Sequence, residues 1–206
     1  MRIAVFGASG GTGREVVQQA LAAGHDVTAM IRNAGTALPE ANPRLHIVLG
    51  DFSRQEIVQQ VVSGQDAVIS ALGTNEKGPV TVCTDGVQAI LAAMKSEGVR
   101  RIAVVSAHGA AESHDHSIYV LAVWAFLKNK MRDKESMEAL IRAADVDWTI
   151  VRPPALTDGP KTATYRTGTD LKIGITSRIS RADLADFLIK EAARTAHVNE
   201  IPRIAA

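Results

Sequence analysis

A short apolar segment that breaks directly into glycines constrains this chain more than any other feature. Ile3 to Phe6 form a β-type run, and Gly7, Gly10 and Gly13 follow it. The first glycine lets the strand turn sharply, the second lets backbone N–H groups approach an anion without a Cβ in the way, and the third lets the next helix pack against its strand. An anion held there would lie at the positive end of that helix. The segment therefore predicts a strand, a turn and a helix that together hold the pyrophosphate of a dinucleotide.

The glycine spacing, G-x-x-G-x-x-G, differs from the G-x-G-x-x-G pattern typical of dinucleotide-binding folds, so the flanking sequence decides the interpretation. Apolar residues from Val16 to Leu21 recur at helical spacing, and the pattern stops at Gly24. Residues 25–32, HDVTAMIR, then predict a second strand. This order favours nucleotide binding over the alternative, a glycine-rich turn that binds nothing.

The end of the second strand bears on the choice between the two nicotinamide cofactors. NAD-binding proteins usually carry an acid there that accepts a hydrogen bond from the ribose 2′-hydroxyl, whereas this chain has Arg32. A guanidinium suits a 2′-phosphate and can stack on adenine. Asp26 cannot replace the missing acid, because it lies at the N-terminal end of the second strand, away from the ribose. The sequence favours NADP(H), with NAD(H) less favoured. The alternative is that Arg32 is a solvated residue at a strand end.

Further apolar runs alternate with helical patterns along the chain. Strands are predicted at residues 45–50, 66–73, 100–107 and 147–154, and helices at 53–64, 79–98, 181–194 and, as one helix or two, 119–146. Ser53, with Glu56 three residues later, predicts a capping box, and Ser180 predicts the cap of the last helix. Continuous apolar strands separated by helices indicate a parallel sheet covered on both faces. We therefore expect an α/β fold with a doubly wound parallel sheet.

The chain length and the sheet type predict where a ligand would bind. A chain of 206 residues suits a single domain, residues 1–206, with residues 156–180 as a small elaboration on the substrate side. In doubly wound sheets the ligand lies at the carboxyl ends of the strands. The predicted strand ends to examine are residues 7–13, Arg32, Asp51, 72–75 and 106–109.

Charge and cysteine content argue against several classes of protein. A formal net charge of +1, with both signs interspersed, gives no basic stripe for nucleic acid and no polybasic membrane segment. No apolar run approaches the ~20 residues of a membrane span, and the chain enters a strand without a basic and apolar leader. The single cysteine, Cys83, predicts a buried thiol, and the polar cluster around His114 matches no metal-ligand spacing. We expect a cytoplasmic protein without a metal, a monomer or homodimer, that acts on a small molecule.

Several motifs in order carry a family resemblance: GASGGTG at 7–13, Arg32, Gly50 and Asp51, ALGT at 71–74, VVSA at 104–107 and DWTIVRPP at 147–154. With these motifs the chain resembles an atypical short-chain dehydrogenase/reductase of the NAD(P)H-binding group, and is most similar to the flavin reductase and biliverdin-IXβ reductase branch. The resemblance implies a Rossmann-like fold. The cofactor-binding residues that it implies are Gly7, Ala8, Ser9, Gly10, Gly11, Thr12, Gly13, Arg32, Asp51, Phe52, Leu72, Gly73, Thr74, Ser106, Pro153 and Pro154.

The resemblance also implies which part of the cofactor these residues meet. The glycine segment would hold the pyrophosphate, Arg32 the 2′-phosphate, Asp51 and Phe52 the adenine, and residues 72–73 the nearby ribose. The nicotinamide would lie near Ser106 and the double proline at 153–154.

Two departures from the family pattern affect the chemistry. The Tyr-x-x-x-Lys pair of short-chain dehydrogenases is absent, because VLAV follows Tyr119, and Lys134 remains a candidate contact for ribose or substrate. Where the biliverdin and flavin reductase branch has a histidine after the double proline, this chain has Ala155. Tyrosinate-assisted alcohol oxidation is therefore not predicted, and a tetrapyrrole substrate is disfavoured.

Hydride transfer to a flavin or a quinone needs little from the protein besides positioning, because the acceptor ring delocalises the incoming charge. Ser106 is the candidate hydrogen-bond donor to substrate or nicotinamide, unless its hydroxyl only satisfies backbone at a strand end. His108 is a candidate proton donor with a pKa suited to neutral pH. We expect an NADPH-dependent oxidoreductase that reduces a flavin, a quinone or a similar conjugated molecule. The alternative is an NADP(H)-binding redox sensor with little turnover, while a sugar or isoprenoid epimerase or reductase would need a larger C-terminal region.

Overall fold

The structure, a computed structural model, describes residues 1–33, 35, 38, 42–76, 78–194 and 196–206. In chain order its elements are β1 (Arg2–Phe6), α1 (Gly11–Ala22), β2 (Asp26–Ile31), β3 (Leu45–Leu49), α2 (Gln55–Val62), β4 (Ala67–Ser70), α3 (Val82–Glu97), β5 (Arg101–Val105), a 3-10 turn (Ala111–Ser113), α4 (Ile118–Ala143), β6 (Asp147–Val151), β7 (Ala155–Thr157), β8 (Arg166–Gly168), β9 (Arg178–Ser180), α5 (Arg181–Arg194) and β10 (Arg203–Ala205).

The central sheet has six strands in the order β3-β2-β1-β4-β5-β6, and every neighbouring pair is parallel. The chain starts at the centre, moves outward through β2 to β3, and then returns to build β4, β5 and β6 on the other side of β1. The direction of winding reverses between β1 and β4, which is where an open α/β sheet forms its ligand crevice. The predicted doubly wound, Rossmann-like architecture is confirmed.

Helices cover both faces of the sheet. Ile3 and Val5 of β1 share one buried cluster with apolar residues of α1 and α5, whereas Ala4 and Phe6 share the other with apolar residues of α2, α3 and α4. Because successive strand residues point to opposite faces, a strand buried on both sides is apolar throughout. That requirement explains the continuous apolar runs in the sequence.

The region predicted as an elaboration, residues 156–180, contains short strands that join other parts of the chain. β7 pairs with β9 in parallel, and β8 pairs with β10 in antiparallel orientation. Segment 200–203 runs beside β6, where Glu200 bridges to Thr149 and Arg203 to Arg152. The short strands therefore tie residues 155–180 to the start of α5 and to the C-terminal segment beside β6.

The two predicted helix caps have different outcomes. The Ser53 capping box is wrong: Arg54 occupies the N-cap position of α2 without a side-chain bond, and the Ser53 hydroxyl donates to Asp51 at 2.5 Å. A local turn competes for the serine, as short polar side chains often allow. Ser180 does cap α5, since its hydroxyl accepts from the Asp183 N–H at 2.9 Å.

Several element ends differ from the predicted ones by one to three residues, and two regions show what changes. The fourth strand ends at Ser70 rather than at Gly73, which leaves residues 71–73 as part of the crevice. The 119–146 pattern forms one long helix, α4, interrupted at Leu127, where φ is −123°. Across the described residues, no helix is both long and apolar enough to cross a membrane.

Candidate functional site

The turn after β1 needs glycine at two positions. Gly7 has φ +78°, and a Cβ there would lie 2.5 Å from the Ala71 carbonyl oxygen. A Cβ on Gly13 would lie 2.1 Å from the Gly7 carbonyl oxygen, closer than atoms can approach. Gly10 donates its N–H to that same oxygen at 3.0 Å, which fixes the turn. These two glycines therefore let the loop lie against the end of β4 and let the start of α1 pack against Gly7.

The first turn of α1 has N–H groups available for an anion. Its N-cap residue is Gly10, so no N-cap side chain accepts hydrogen bonds from these N–H groups. The first turn contains no acidic residue either. Free N–H groups and the helix dipole favour a negative group at this end. Around them, Ala8 and Thr12 are buried, Ser9 is half-buried and Gly11 is exposed. This arrangement fits the pyrophosphate of a dinucleotide.

Arg32 and Asp51 both lie just past the ends of the neighbouring strands β2 and β3. Ile31 pairs with Leu49, and both Arg32 and Asp51 are exposed. Hydrogen bonds from the Ser53 hydroxyl and N–H lower the pKa of Asp51, with smaller contributions from nearby arginines that include Arg32. The residue predicted to bind the 2′-phosphate therefore lies at the same edge of the sheet as a carboxylate that is hydrogen-bonded to Ser53.

Phe52 turns inward beside this pair. Its ring lies 5.8 Å from that of Phe6, centroid to centroid, and a Cβ on Gly86 would lie 3.1 Å from its ring. Phe52 is half-buried, so only part of the ring is open to a ligand.

Lys134, on α4, joins the ends of two central strands. Its Nζ donates to the Leu72 carbonyl at 2.9 Å and to the Val105 carbonyl at 2.7 Å. Leu72 is buried, Gly73 is exposed and Thr74 is half-buried. The lysine is therefore part of the crevice, where it holds the residues after β4 next to the end of β5.

Two buried groups near Lys134 fix its surroundings. Asp133 accepts from the N–H groups of Cys83 and Thr84, both at 2.9 Å, and so caps α3 from another helix. Cys83 is a buried free thiol as predicted, its pKa raised by burial, and its Sγ lies 3.5 Å from the Leu72 oxygen. These contacts tie α3, α4 and the residues after β4 into one unit.

Ser106 is part of a buried charged network. Its hydroxyl donates to Glu138 Oε1 at 2.5 Å, and the Arg152 Nε donates to the same oxygen at 3.0 Å. The side chains of Glu138 and Arg152 are only 1% and 3% exposed. The hydroxyl hydrogen of Ser106 is thus engaged by Glu138, and the predicted role as a donor to a ligand would require this bond to break.

The network continues to the surface through Glu112. Arg152 donates to Glu112 at 3.0 Å, and Arg142 donates to it at 2.6 Å. Although partial burial acts in the opposite direction, hydrogen bonds that include those from the two arginines lower the pKa of Glu112 to about 2. Neither Glu138 nor Arg152 is among the residues predicted from the sequence. The available signal was that Glu138 lies on the buried stripe of α4, three residues before Ile141.

His108 is buried, with 1% of its surface exposed, and neither ring nitrogen has a hydrogen-bond partner among the described residues. Burial, with smaller contributions from Arg203 and Arg152, lowers its pKa to about 4. Its ring lies 5.7 Å from that of Tyr119. The expected pKa near neutrality is not found, because the sequence does not show that the imidazole is desolvated; His108 is neutral at pH 7.

The double proline lies beside Ser106 and His108. The Ser106 N–H donates to the Val151 carbonyl at 2.8 Å, and the His108 N–H donates to the Pro153 carbonyl at 2.9 Å. Pro153 and Pro154 are buried. The residues predicted to surround the nicotinamide therefore do come together at the ends of β5 and β6.

The polar segment after His108 is held by ring packing. His114 stacks on Trp124 with ring centroids 4.3 Å apart, and the Trp124 Nε1–H donates to the Gly109 carbonyl at 2.9 Å. Within the described part of the chain, no group of three or more His, Cys, Asp or Glu side chains could hold a metal ion.

Comparisons with known proteins identify the family of this chain. The model of the NAD(P)H-binding family matches residues 7–195. The chain is 26% identical to the uncharacterized protein YwnB of Bacillus subtilis. The alignment extends over 210 residues and covers 97% of this chain and 96% of YwnB.

Two solved structures are similar along nearly the whole chain. ChuY, described as an anaerobillin reductase from Escherichia coli O157:H7, has a TM-score of 0.84 at 22% identity, over 99% of this chain and 96% of that one. A short-chain dehydrogenase/reductase of Veillonella parvula in complex with NADP has a TM-score of 0.85 at 16% identity, over 100% of this chain and 94% of that one. These likenesses show a shared fold, and the family match covers both the glycine turn and the crevice. The chain therefore belongs to the NAD(P)H-binding family.

Proposed function

We propose that this protein is an NADPH-dependent reductase that transfers a hydride to a flavin, a quinone or a similar conjugated small molecule. When bound, the reduced nicotinamide would supply the hydride. The glycine turn and the free end of α1 would bind the pyrophosphate, and Arg32 would pair with the 2′-phosphate. Lys134 and Ser106 would orient the ribose and the nicotinamide from the ends of β4 and β5.

This proposal depends mainly on the hydrogen bonds and the charges of the polar side chains predicted for the crevice. Ser106 donates to Glu138, Lys134 donates to two carbonyl groups, and His108 is buried and neutral. Neither Ser106 nor His108 is therefore placed as a charged acid, and Lys134 already donates two of its hydrogens to backbone carbonyl groups. A conjugated acceptor can accept a hydride and take its proton from water, whereas an isolated carbonyl group needs an acid close by.

The similar structures support the reaction class without identifying the acceptor. ChuY is described as a reductase, and the Veillonella protein is in complex with NADP. Arg32 is the feature of this chain that favours NADP(H), because a guanidinium binds a phosphate in a two-pronged geometry.

The proposal is tested by comparing NADPH and NADH in binding and turnover. Wild type should bind NADPH more tightly than NADH and oxidise it when FMN or a quinone is added. Arg32→Ala should weaken NADPH binding by about tenfold or more and leave NADH binding nearly unchanged, since a charge-assisted hydrogen bond contributes about 1.5–3 kcal/mol. Equal affinities for the two cofactors in wild type would refute the NADP(H) preference. Dinucleotide binding without oxidation by any flavin, quinone or tetrapyrrole would refute the reductase.

The second candidate function is a redox sensor that binds NADP(H) and regulates a partner. One observation favours it: the first half of α4 exposes large apolar side chains, with Ile118 77%, Leu121 53% and Phe126 86% exposed. Exposed apolar side chains close together often mark an interaction surface. The sensor predicts tight NADPH binding with negligible turnover, and rapid reduction of an acceptor would make it unnecessary.

A further inference from the structure

Arg181, the first residue of α5, lies against the start of α1. A Cβ on Gly11 would lie 2.6 Å from the Arg181 Cδ and 2.8 Å from its Nε. The arginine stem therefore crosses the glycine turn at the place where N–H groups are available for an anion. The close approach depends on a glycine at position 11. Because this glycine does not have a positive φ, the backbone conformation does not itself require glycine there.

A single exposed carboxylate holds the guanidinium of Arg181. Its Nη1 lies 2.6 Å from Asp158 Oδ1, and the side chain of Asp158 is 92% exposed. Both residues directly follow the last pair of the short β7–β9 ladder, Thr157 with Ser180. Such an exposed ion pair contributes only about 0–1 kcal/mol, so a better-placed anion can displace the aspartate.

The glycine turn lacks positive charge of its own. Residues 7–13 contain no ionisable side chain, whereas a dinucleotide pyrophosphate carries two negative charges. Helix N–H groups supply only partial charges, and an arginine adds a full charge with paired donors.

We propose that Arg181 is an additional cofactor-binding residue that binds the pyrophosphate over Gly11, and that Asp158 is a tethered anion which it releases on binding. This inference rests on the dinucleotide binding that is part of the proposed function. It makes the segment after β7 part of the cofactor site, because Asp158 belongs to that segment. It also gives Gly11 a role, which is to leave room for the arginine stem.

The test uses two fragments of the cofactor in calorimetric titrations. ADP-ribose has the pyrophosphate but no 2′-phosphate, and adenosine 2′-phosphate has the 2′-phosphate but no pyrophosphate. Arg181→Gln should weaken ADP-ribose binding about tenfold, as loss of a charge-assisted hydrogen bond does, and should leave adenosine 2′-phosphate binding unchanged. Asp158→Asn should tighten ADP-ribose binding about two- to fivefold, since it frees the arginine from an exposed ion pair. The double variant should bind like Arg181→Gln.

Asp145→Asn is the matched control. Asp145 is 94% exposed and pairs with Arg100 at 3.1 Å, and Arg100 directly precedes β5, at the opposite edge of the sheet from the glycine turn. This variant should bind both fragments as wild type does. Thermal unfolding of each variant shows that it is folded.

The outcomes separate this inference from the proposed function. Equal ADP-ribose affinity in wild type and in folded Arg181→Gln would overturn the role of Arg181. Unchanged or weaker binding by Asp158→Asn would overturn the role of Asp158. If the variants behave as expected but NADPH is not oxidised with any acceptor, the reductase proposal fails while the Arg181 site stands.

Discussion

Replacing His108 by leucine should remove a large part of the pH dependence of this protein's stability. The imidazole is buried, and its pKa is lowered from 6.5 to about 4, mainly by burial. In the unfolded chain the same group binds a proton near its ordinary pKa. Protonation therefore favours the unfolded state, and stability is lost as the pH falls from about 7 towards about 4.

The size of the effect follows from the pKa shift. At about 1.4 kcal/mol per pKa unit, the shift limits the loss to about 3 kcal/mol, of which about 2 kcal/mol falls between pH 7 and pH 5. Leucine has no proton to bind, and it removes two ring nitrogens that lack partners among the described residues. At pH 7 the substitution should be nearly neutral or stabilising, since an unsatisfied buried polar group destabilises the fold.

Urea denaturation at pH 7 and pH 5 measures this difference. Between the two pH values, wild type should lose about 2 kcal/mol more unfolding free energy than His108→Leu. His46→Gln is the control, because it removes an exposed histidine on β3 and shows the effect of losing a histidine that is not buried. If His108→Leu loses as much stability as wild type, the imidazole is not held neutral by burial, and His108 returns as a candidate proton donor.

Three further substitutions test how the site is built. Gly13→Ala would place a Cβ 2.1 Å from a carbonyl oxygen, so it should abolish NADPH binding and lower the melting temperature, whereas Gly174→Ala, with no atom within 4 Å of its new Cβ, should do neither. Glu138→Gln leaves buried Arg152 to pair with the more exposed carboxylate of Glu112, and urea denaturation should show a loss of about 2 kcal/mol. Asp133→Ala removes the cap of α3, and the same assay should show a loss of about 2 kcal/mol.

The fold could be predicted because its signals are local. The glycine turn after β1 and the continuous apolar strands each depend on neighbouring residues, and together they specify a parallel sheet with its crevice at the carboxyl edge. The Ser53 cap failed for an equally local reason, because Asp51 competes for the same hydroxyl. Local patterns are a reliable guide to where helices and strands occur. They are a less reliable guide to which of two polar groups a side chain will bond.

The missed site residues depend on contacts between distant parts of the chain. Arg152 meets Glu138 only when β6 packs beside α4, and Arg181 reaches Gly11 only when α5 packs against α1. The lowered pKa of His108 likewise depends on burial, which the residue type does not reveal. The sequence could therefore place candidates at the crevice but could not show which of them already have internal partners.

The central claim is hydride transfer from NADPH to a conjugated acceptor in a crevice where His108 is neutral and Ser106 donates its hydrogen to Glu138. It is tested most directly by single-turnover mixing of the NADPH complex with FMN or a quinone, with absorbance recorded at the reduced-nicotinamide band. The account predicts that the absorbance is lost with at least one acceptor, and more slowly when deuterium replaces the transferred hydrogen at nicotinamide C4. Tight NADPH binding with no loss of absorbance for any acceptor would contradict it and would leave the sensor as the better description.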